Sequence, residues 1–182
     1  IPDMVNQLRN SKVAISTQIQ NVAPANKILQ TLRYATCTNA SMPLIASSVV
    51  AKKVATGSNN IIIDIKYGSG TAIKTIDKAN RLSDLIINTG KAFGKTITTI
   101  ISSMDEPIGR AIGNSIEVIE AIEFLKGKIQ NSDLAEIIYE IGSVTLLQLK
   151  RYDSKEKAVE YLKYLVNSGL ALEKFREFIR IQ

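Results

Sequence analysis

Residues 60–102 read NIIIDIKYGSGTAIKTIDKANRLSDLIINTGKAFGKTITTIIS, and this stretch decides the fold. Ile61-Ile62-Ile63, within Asn60–Tyr67, is a β-branched run of the kind that fills a strand buried on both faces. Gly68-Ser69-Gly70 breaks the run. Asp77–Phe93 then places apolar residues at helical spacing and stops near Gly94. Thr96–Ser102 returns to β-branched residues and reads as a second buried strand. Strand, helix and strand in that order imply a right-handed crossover and parallel pairing.

Working outward, Asp3–Asn10 reads as a short helix. Lys12–Gln20 alternates Val13, Ile15, Thr17 and Ile19 with polar residues, the period of two that marks a strand. After a loop with Pro24, Ala25–Thr36 carries Ile28, Leu29, Leu32 and Ala35 at helical spacing. Pro43 suits the first turn of a helix that runs to about Thr56 and stops at Gly57. Beyond the second buried strand the pattern is all helix. Asn114 with Glu117, Asp133 with Glu136 and Asp153 with Glu156 have capping-box spacing at three helix starts, and Gly127 and Gly169 mark stops. The reading is one α/β domain over residues 1–182, with a mainly parallel sheet, helices on both faces and an all-helical C-terminal part.

Composition narrows the chemistry. Aromatic residues are 5% and Trp is absent, so the core must be built from Ile, Leu, Val and Ala. Cys37 is the single cysteine, which excludes an intrachain disulfide and fits a reducing, cytoplasmic compartment. No apolar run approaches the ~18 residues of a membrane span. Ile1-Pro2-Asp3 is no signal peptide, and a processed, split or truncated chain is expected. The net charge is +6, but no Lys/Arg block exceeds two residues, so a solvated surface is expected in preference to a nucleic-acid partner. Histidine is absent, which excludes Ser-His-Asp and Cys-His catalysis and His-based metal sites within the chain. Acid-base work falls to carboxylates, Lys, Tyr or residues outside the chain.

Several polar residues stand out. Ser48 and Lys52 are four apart and share one face of a helix otherwise rich in Leu, Ile and Val. Spacing alone leaves Lys52 as an ordinary solvent-facing cation. Arg33 lies near the end of its helix, where a cation also favours the helix dipole. Gly68-Ser69-Gly70 permits close approach beyond a strand end, but neither GxGxxG nor a P-loop is present, and a plain turn is the simpler reading. Asp105-Glu106 before Pro107 offers a metal or acid pair, against the commoner reading as turn chemistry. Glu117, Glu120 and Glu123 stand three apart, by default a solvated stripe.

The stretch Lys27–Lys53, KILQTLRYATCTNASMPLIASSVVAKK, resembles the pyrimidine-nucleoside (thymidine) phosphorylase segment in which an Arg precedes a PLIASS…KK helix. DIKYGSG (Asp64–Gly70), SMDEPIGRAIGNSIEVIEA (Ser103–Ala121) and ALEKFREFI (Ala171–Ile179) resemble further blocks of that family in the same order. The resemblance implies a partial nucleoside phosphorylase/phosphoribosyltransferase-like α/β domain and a pentosyltransferase of nucleotide salvage. Its reaction is reversible phosphorolysis of a pyrimidine nucleoside to free base and (deoxy)ribose 1-phosphate, with inorganic phosphate as co-substrate and no organic cofactor. It implies that Arg33, Ser48 and Lys52 line the pyrimidine pocket, and that Glu120 with the carbonyls of Ile108 and Ala111 holds a monovalent cation such as potassium. A homodimer is implied, or pairing with a separate N-terminal half. The family's phosphate-holding and small helical parts and its β-rich C-terminal domain are expected to lie outside this chain. Gln30, Tyr34, Asn26 and Tyr67 depart from the usual family residues; Tyr34 and Asn26 stand where acids are common. An anthranilate phosphoribosyltransferase-like enzyme and an inactive remnant are the alternatives.

Overall fold

The computed structural model describes residues 2–15, 23–130 and 132–181. In chain order the elements are α1 (Pro2–Ser11), α2 (Pro24–Ala35), α3 (Met42–Ala55), β1 (Asn60–Tyr67), α4 (Ile76–Ala92), β2 (Thr96–Ser103), α5 (Asn114–Leu125), α6 (Asp133–Gln148), α7 (Lys155–Asn167) and α8 (Leu170–Ile181). They gather into two compact units, Gln20–Pro107 and Ile1–Ile19 with Ile108–Gln182.

The first unit carries the strand-helix-strand expected from residues 60–102. β1 and β2 pair in parallel, from Asn60 opposite Thr96 to Tyr67 opposite Ser103. Side chains alternate along a strand, so odd-numbered residues share one face. Ile61, Ile63, Ile65 and Tyr67 of β1 with Ile97 and Ile101 of β2 pack there against Ala46 and Val50 of α3 and Ala79, Leu82 and Ile86 of α4. Val50 and Ile86 are each only 1% exposed, and burying such a side chain contributes about 1.5–3 kcal/mol. Gly90 lets α4 approach β2 closely, because a Cβ there would run into the Ile97 side chain. The even-numbered face is polar toward the strand ends. Ser102 Oγ donates to Asp64 Oδ1 at 2.6 Å, and Lys66 Nζ donates to Ser102 Oγ at 2.8 Å and pairs with Asp64 Oδ2 at 2.6 Å.

In the second unit Phe124, Ala135, Tyr139 and Val166 form the core, with the Phe124 and Tyr139 ring centroids 5.7 Å apart. Burial raises the Tyr139 hydroxyl above its ordinary value. Gly142 lets α6 and α7 meet, since a Cβ there would lie 2.6 Å from Leu162 Cδ1.

Two local expectations are corrected. The alternation over Lys12–Gln20 is not a strand where it is described: α1 runs through Ser11, Lys12 adopts φ 62°, and residues 13–15 have no strand partner among the described residues. Residues 16–20 of that segment lie outside the described residues. The helix caps also sit one position from the expected ones. Gly113 caps α5, with its N–H donated to Glu117 Oε1 at 3.2 Å. Ser132 Oγ accepts from Ala135 N at 3.2 Å, and Ser154 Oγ from Lys157 N at 3.3 Å. A serine hydroxyl beside each aspartate reaches the free amide three residues on, leaving the acid to interact with the helix dipole.

Candidate functional site

α2 ends in a Schellman turn: Thr38 N donates to Arg33 O at 3.0 Å and Cys37 N to Tyr34 O at 3.3 Å, with Cys37 at φ 54°. The turn brings α3 back beside α2 and fixes the backbone of Arg33 in the last helical turn. The Arg33 side chain is 9% exposed. Its Nη2 donates to Asn39 O at 2.8 Å and its Nη1 to Leu44 O at 3.4 Å. Its Nε is buried without a hydrogen-bond partner among the described residues. A buried polar group without a partner is costly, so this N–H lowers the stability of the turn rather than facing the surface.

That side chain forms part of the wall of a cavity of about 190 Å³ between α2 and α3. Asn26, Leu29 and Leu32 line it from α2, and Leu44, Ser47 and Ser48 from α3. The space is below the roughly 300–1,000 Å³ typical of drug-sized ligand sites, which suits a single ring. Arg33 and Ser48 therefore line one cavity. Ser48 Oγ makes no hydrogen bond among the described residues. Lys52 is half-buried one helical turn beyond Ser48 and is not part of the cavity wall. Its ammonium has no hydrogen bond or ion pair among the described residues.

Asn26 belongs to this wall and was singled out in the sequence only as a departure from the family. The signal was its spacing: seven residues are almost two helical turns, so Asn26 and Arg33 face the same side. Charge placement was a second missed signal. Residues 4–63 hold six cations (Arg9, Lys12, Lys27, Arg33, Lys52, Lys53) and no Asp or Glu, while the other seventeen Lys/Arg match the seventeen acids outside that stretch. Four of those six cations, Lys27, Arg33, Lys52 and Lys53, lie on the two helices that build the cavity.

The other candidates resolve individually. Gly68-Ser69-Gly70 and Asp105 form one tied turn beyond the strand ends: Ser69 N donates to Asp105 Oδ1 at 2.8 Å and Ser103 Oγ to Asp105 Oδ2 at 3.1 Å. The Ser69 amide and then the Ser103 hydroxyl hold the Asp105 carboxyl below its ordinary value. Gly68 has φ 124°, and a Cβ there would lie 2.6 Å from Asp105 Oδ1. Asp105 serves turn chemistry, and among the described residues no group of three or more Cys, Asp or Glu is placed to hold a metal ion.

Glu117, Glu120 and Glu123 each have separate partners. Glu123 pairs with Lys126 and Lys128, whose hydrogen bonds lower its carboxyl. Glu120 grips the loop before α5, accepting from Arg110 N at 2.8 Å and Ala111 N at 3.2 Å. Gly109, at φ 76°, is the residue that fits under this carboxylate, since a Cβ would stand 2.5 Å from Glu120 Oε2. Its N–H donates to Asp133 Oδ2 at 3.1 Å. Each Glu120 oxygen accepts from one amide and retains acceptor capacity.

Comparison of the sequence with known proteins places the chain in a family. The model of the glycosyl transferase family, a/b domain, matches residues 2–172. A pyrimidine-nucleoside phosphorylase of Staphylococcus aureus strain USA300 is 42% identical over 178 residues, covering 98% of this chain and 41% of the relative. The protein of the same name from strain bovine RF122 is 40% identical over the same shares. The chain spans 41% of the length of these curated relatives.

Proposed function

The chain belongs to the glycosyl transferase family, a/b domain, and on that premise we propose that it supplies the pyrimidine-holding half of a pyrimidine-nucleoside phosphorylase. The observation that carries this reading is that Arg33 and Ser48, on different helices, line one ring-sized cavity. In phosphorolysis, phosphate attacks C1′ of the nucleoside, the glycosidic bond breaks, and its electron pair leaves with the base. Negative charge then grows on the pyrimidine ring. The Arg33 guanidinium, already fixed by Asn39 O and Leu44 O, presents its remaining N–H groups where that charge develops. Ser48 Oγ orients the ring as a neutral partner. Lys52, one turn along α3 and without an internal partner among the described residues, completes the set by swinging toward the ring when substrate arrives.

The phosphate-holding groups are supplied by polypeptide outside these 182 residues, in a homodimeric cytoplasmic enzyme or by a separate N-terminal half. Glu120, with the carbonyls of Ile108 and Ala111, would hold a monovalent cation such as potassium, which supplies fixed positive charge and order to the loop before α5. The test is uridine and thymidine cleavage in phosphate. The chain alone is expected to release no uracil or thymine, and addition of a separately expressed N-terminal half to restore release. Robust turnover by the chain alone refutes the half-site assignment.

A further inference from the structure

We infer that a row of tyrosines on α7 is a contact surface for a second copy of this chain, packed across a two-fold axis. Tyr152, in the link between α6 and α7, has its ring centroid 5.3 Å from that of Tyr161, with 31° between the planes. Tyr161 in turn lies 6.5 Å from Tyr164 at 26°. Three rings thus stand nearly parallel in one row. Tyr161 and Tyr164, three apart, share one face of α7. They are 38% and 58% exposed, whereas Tyr139, which joins the core of the same unit, is 9% exposed. The inference is independent of the reading of the α2–α3 cavity.

Mutual stacking fixes the rings before a partner arrives, so little side-chain freedom is lost on contact. Tyrosine joins a large apolar ring to a polar tip and is enriched where proteins meet. The charges beside the row carry both signs. Lys150 and Arg151, exposed just before Tyr152, have no ion pair among the described residues. Glu160, exposed one helical turn before Tyr164, has none there either. Lys157, on the same face, already pairs with Asp153. The Tyr152 end of the row therefore offers free cations and the Tyr164 end a free acid. A two-fold axis near Tyr161 lays the basic end of one copy against the acidic end of the other, the self-complementarity that such an interface requires. A nucleic acid or an anionic membrane would instead call for one sign of charge along the whole row.

Sedimentation velocity of the full 182-residue chain over a concentration series reads the association. The parent chain is expected to dimerise with a Kd below about 100 μM. Tyr161→Ser with Tyr164→Ser is expected to weaken the dimer at least tenfold without a change in thermal midpoint, since both rings are exposed. Arg151→Glu alone is expected to weaken it at least threefold, and adding Glu160→Arg to restore it, because the exchanged charges again face each other across the axis. A parent chain that stays monomeric overturns the inference. So does a dimer that the tyrosine substitutions leave unchanged, which places the contact on another face, or a charge exchange that fails to restore association. A monomer whose tyrosine row instead binds a single-stranded oligonucleotide overturns it in favour of stacked bases. None of these outcomes touches the pocket reading, which uracil and thymine binding test separately.

Discussion

Replacing Arg33 by Gln is the perturbation that bears hardest on the proposed pocket. The guanidinium has five N–H donors. Two are spent on Asn39 O and Leu44 O and the Nε–H is buried, so two N–H groups on the terminal nitrogens remain for a ligand. A hydrogen bond from a charged group contributes about 1.5–3 kcal/mol, so each lost contact to a pyrimidine oxygen should weaken binding roughly 10- to 150-fold. Gln retains a donor and much of the stem but no charge, and it cannot form the fork that spans both carbonyls and the ligand. Isothermal titration with uracil or thymine reads the effect, with circular dichroism melting as the folding control. If Arg33→Gln binds either ring within threefold of the parent chain and melts normally, the guanidinium does not face the ligand and the reasoning fails.

Four further outcomes follow from the same geometry. Gly68→Ala forces a side chain to φ 124° and into Asp105 Oδ1, at about 2–4 kcal/mol, so the melting midpoint should fall by about 5–12 °C. Cys37→Gly relieves the left-handed backbone at φ 54° and should raise the midpoint by about 1–4 °C; a drop would show that the thiol packs usefully. The Asp105 carboxyl is lowered by the Ser69 amide and the Ser103 hydroxyl, so its stabilising contribution is full above the ordinary carboxylate value and fades as pH falls through the depressed folded value. Asp105→Asn should therefore flatten the acid limb of the stability profile, and an unchanged limb would assign the acid sensitivity elsewhere. Potassium should raise the melting midpoint relative to an equal concentration of tetramethylammonium, and Glu120→Gln should abolish the difference; a difference that survives in the variant places the cation away from the loop before α5.

What the sequence disclosed depended on how local the determining physics is. β1, α4 and β2 were legible because β-branched runs, helical spacing and glycine stops act within a few residues of themselves. Lys12–Gln20 misled because alternation identifies a face, not a partner, and α1 instead continues to Ser11 before Lys12 turns the chain. The caps were missed by one residue because Ser132 and Ser154 compete with the neighbouring aspartates for the same free amides, and only geometry decides. For the site, the family resemblance named Arg33 and Ser48 and the structure brings both to one cavity. It could not indicate that Arg33 is buried without a carboxylate partner among the described residues, or that the ionic network of Asp64, Lys66 and Ser102 would form across paired strands, since both depend on residues distant in sequence meeting in space. The placement of Lys52 beyond the cavity wall is a further case, because a helical position fixes the direction of a Cβ but not where four methylenes carry an ammonium.

The most direct test of the central claim is a nuclear magnetic resonance titration of the chain with uracil or thymine, following the signal of the terminal Arg33 N–H groups and the backbone amides of α2 and α3. The account predicts a saturable shift of that side-chain signal together with Ser48 and Asn26. Saturable binding that leaves the Arg33 signal unmoved while resonances elsewhere respond would contradict it.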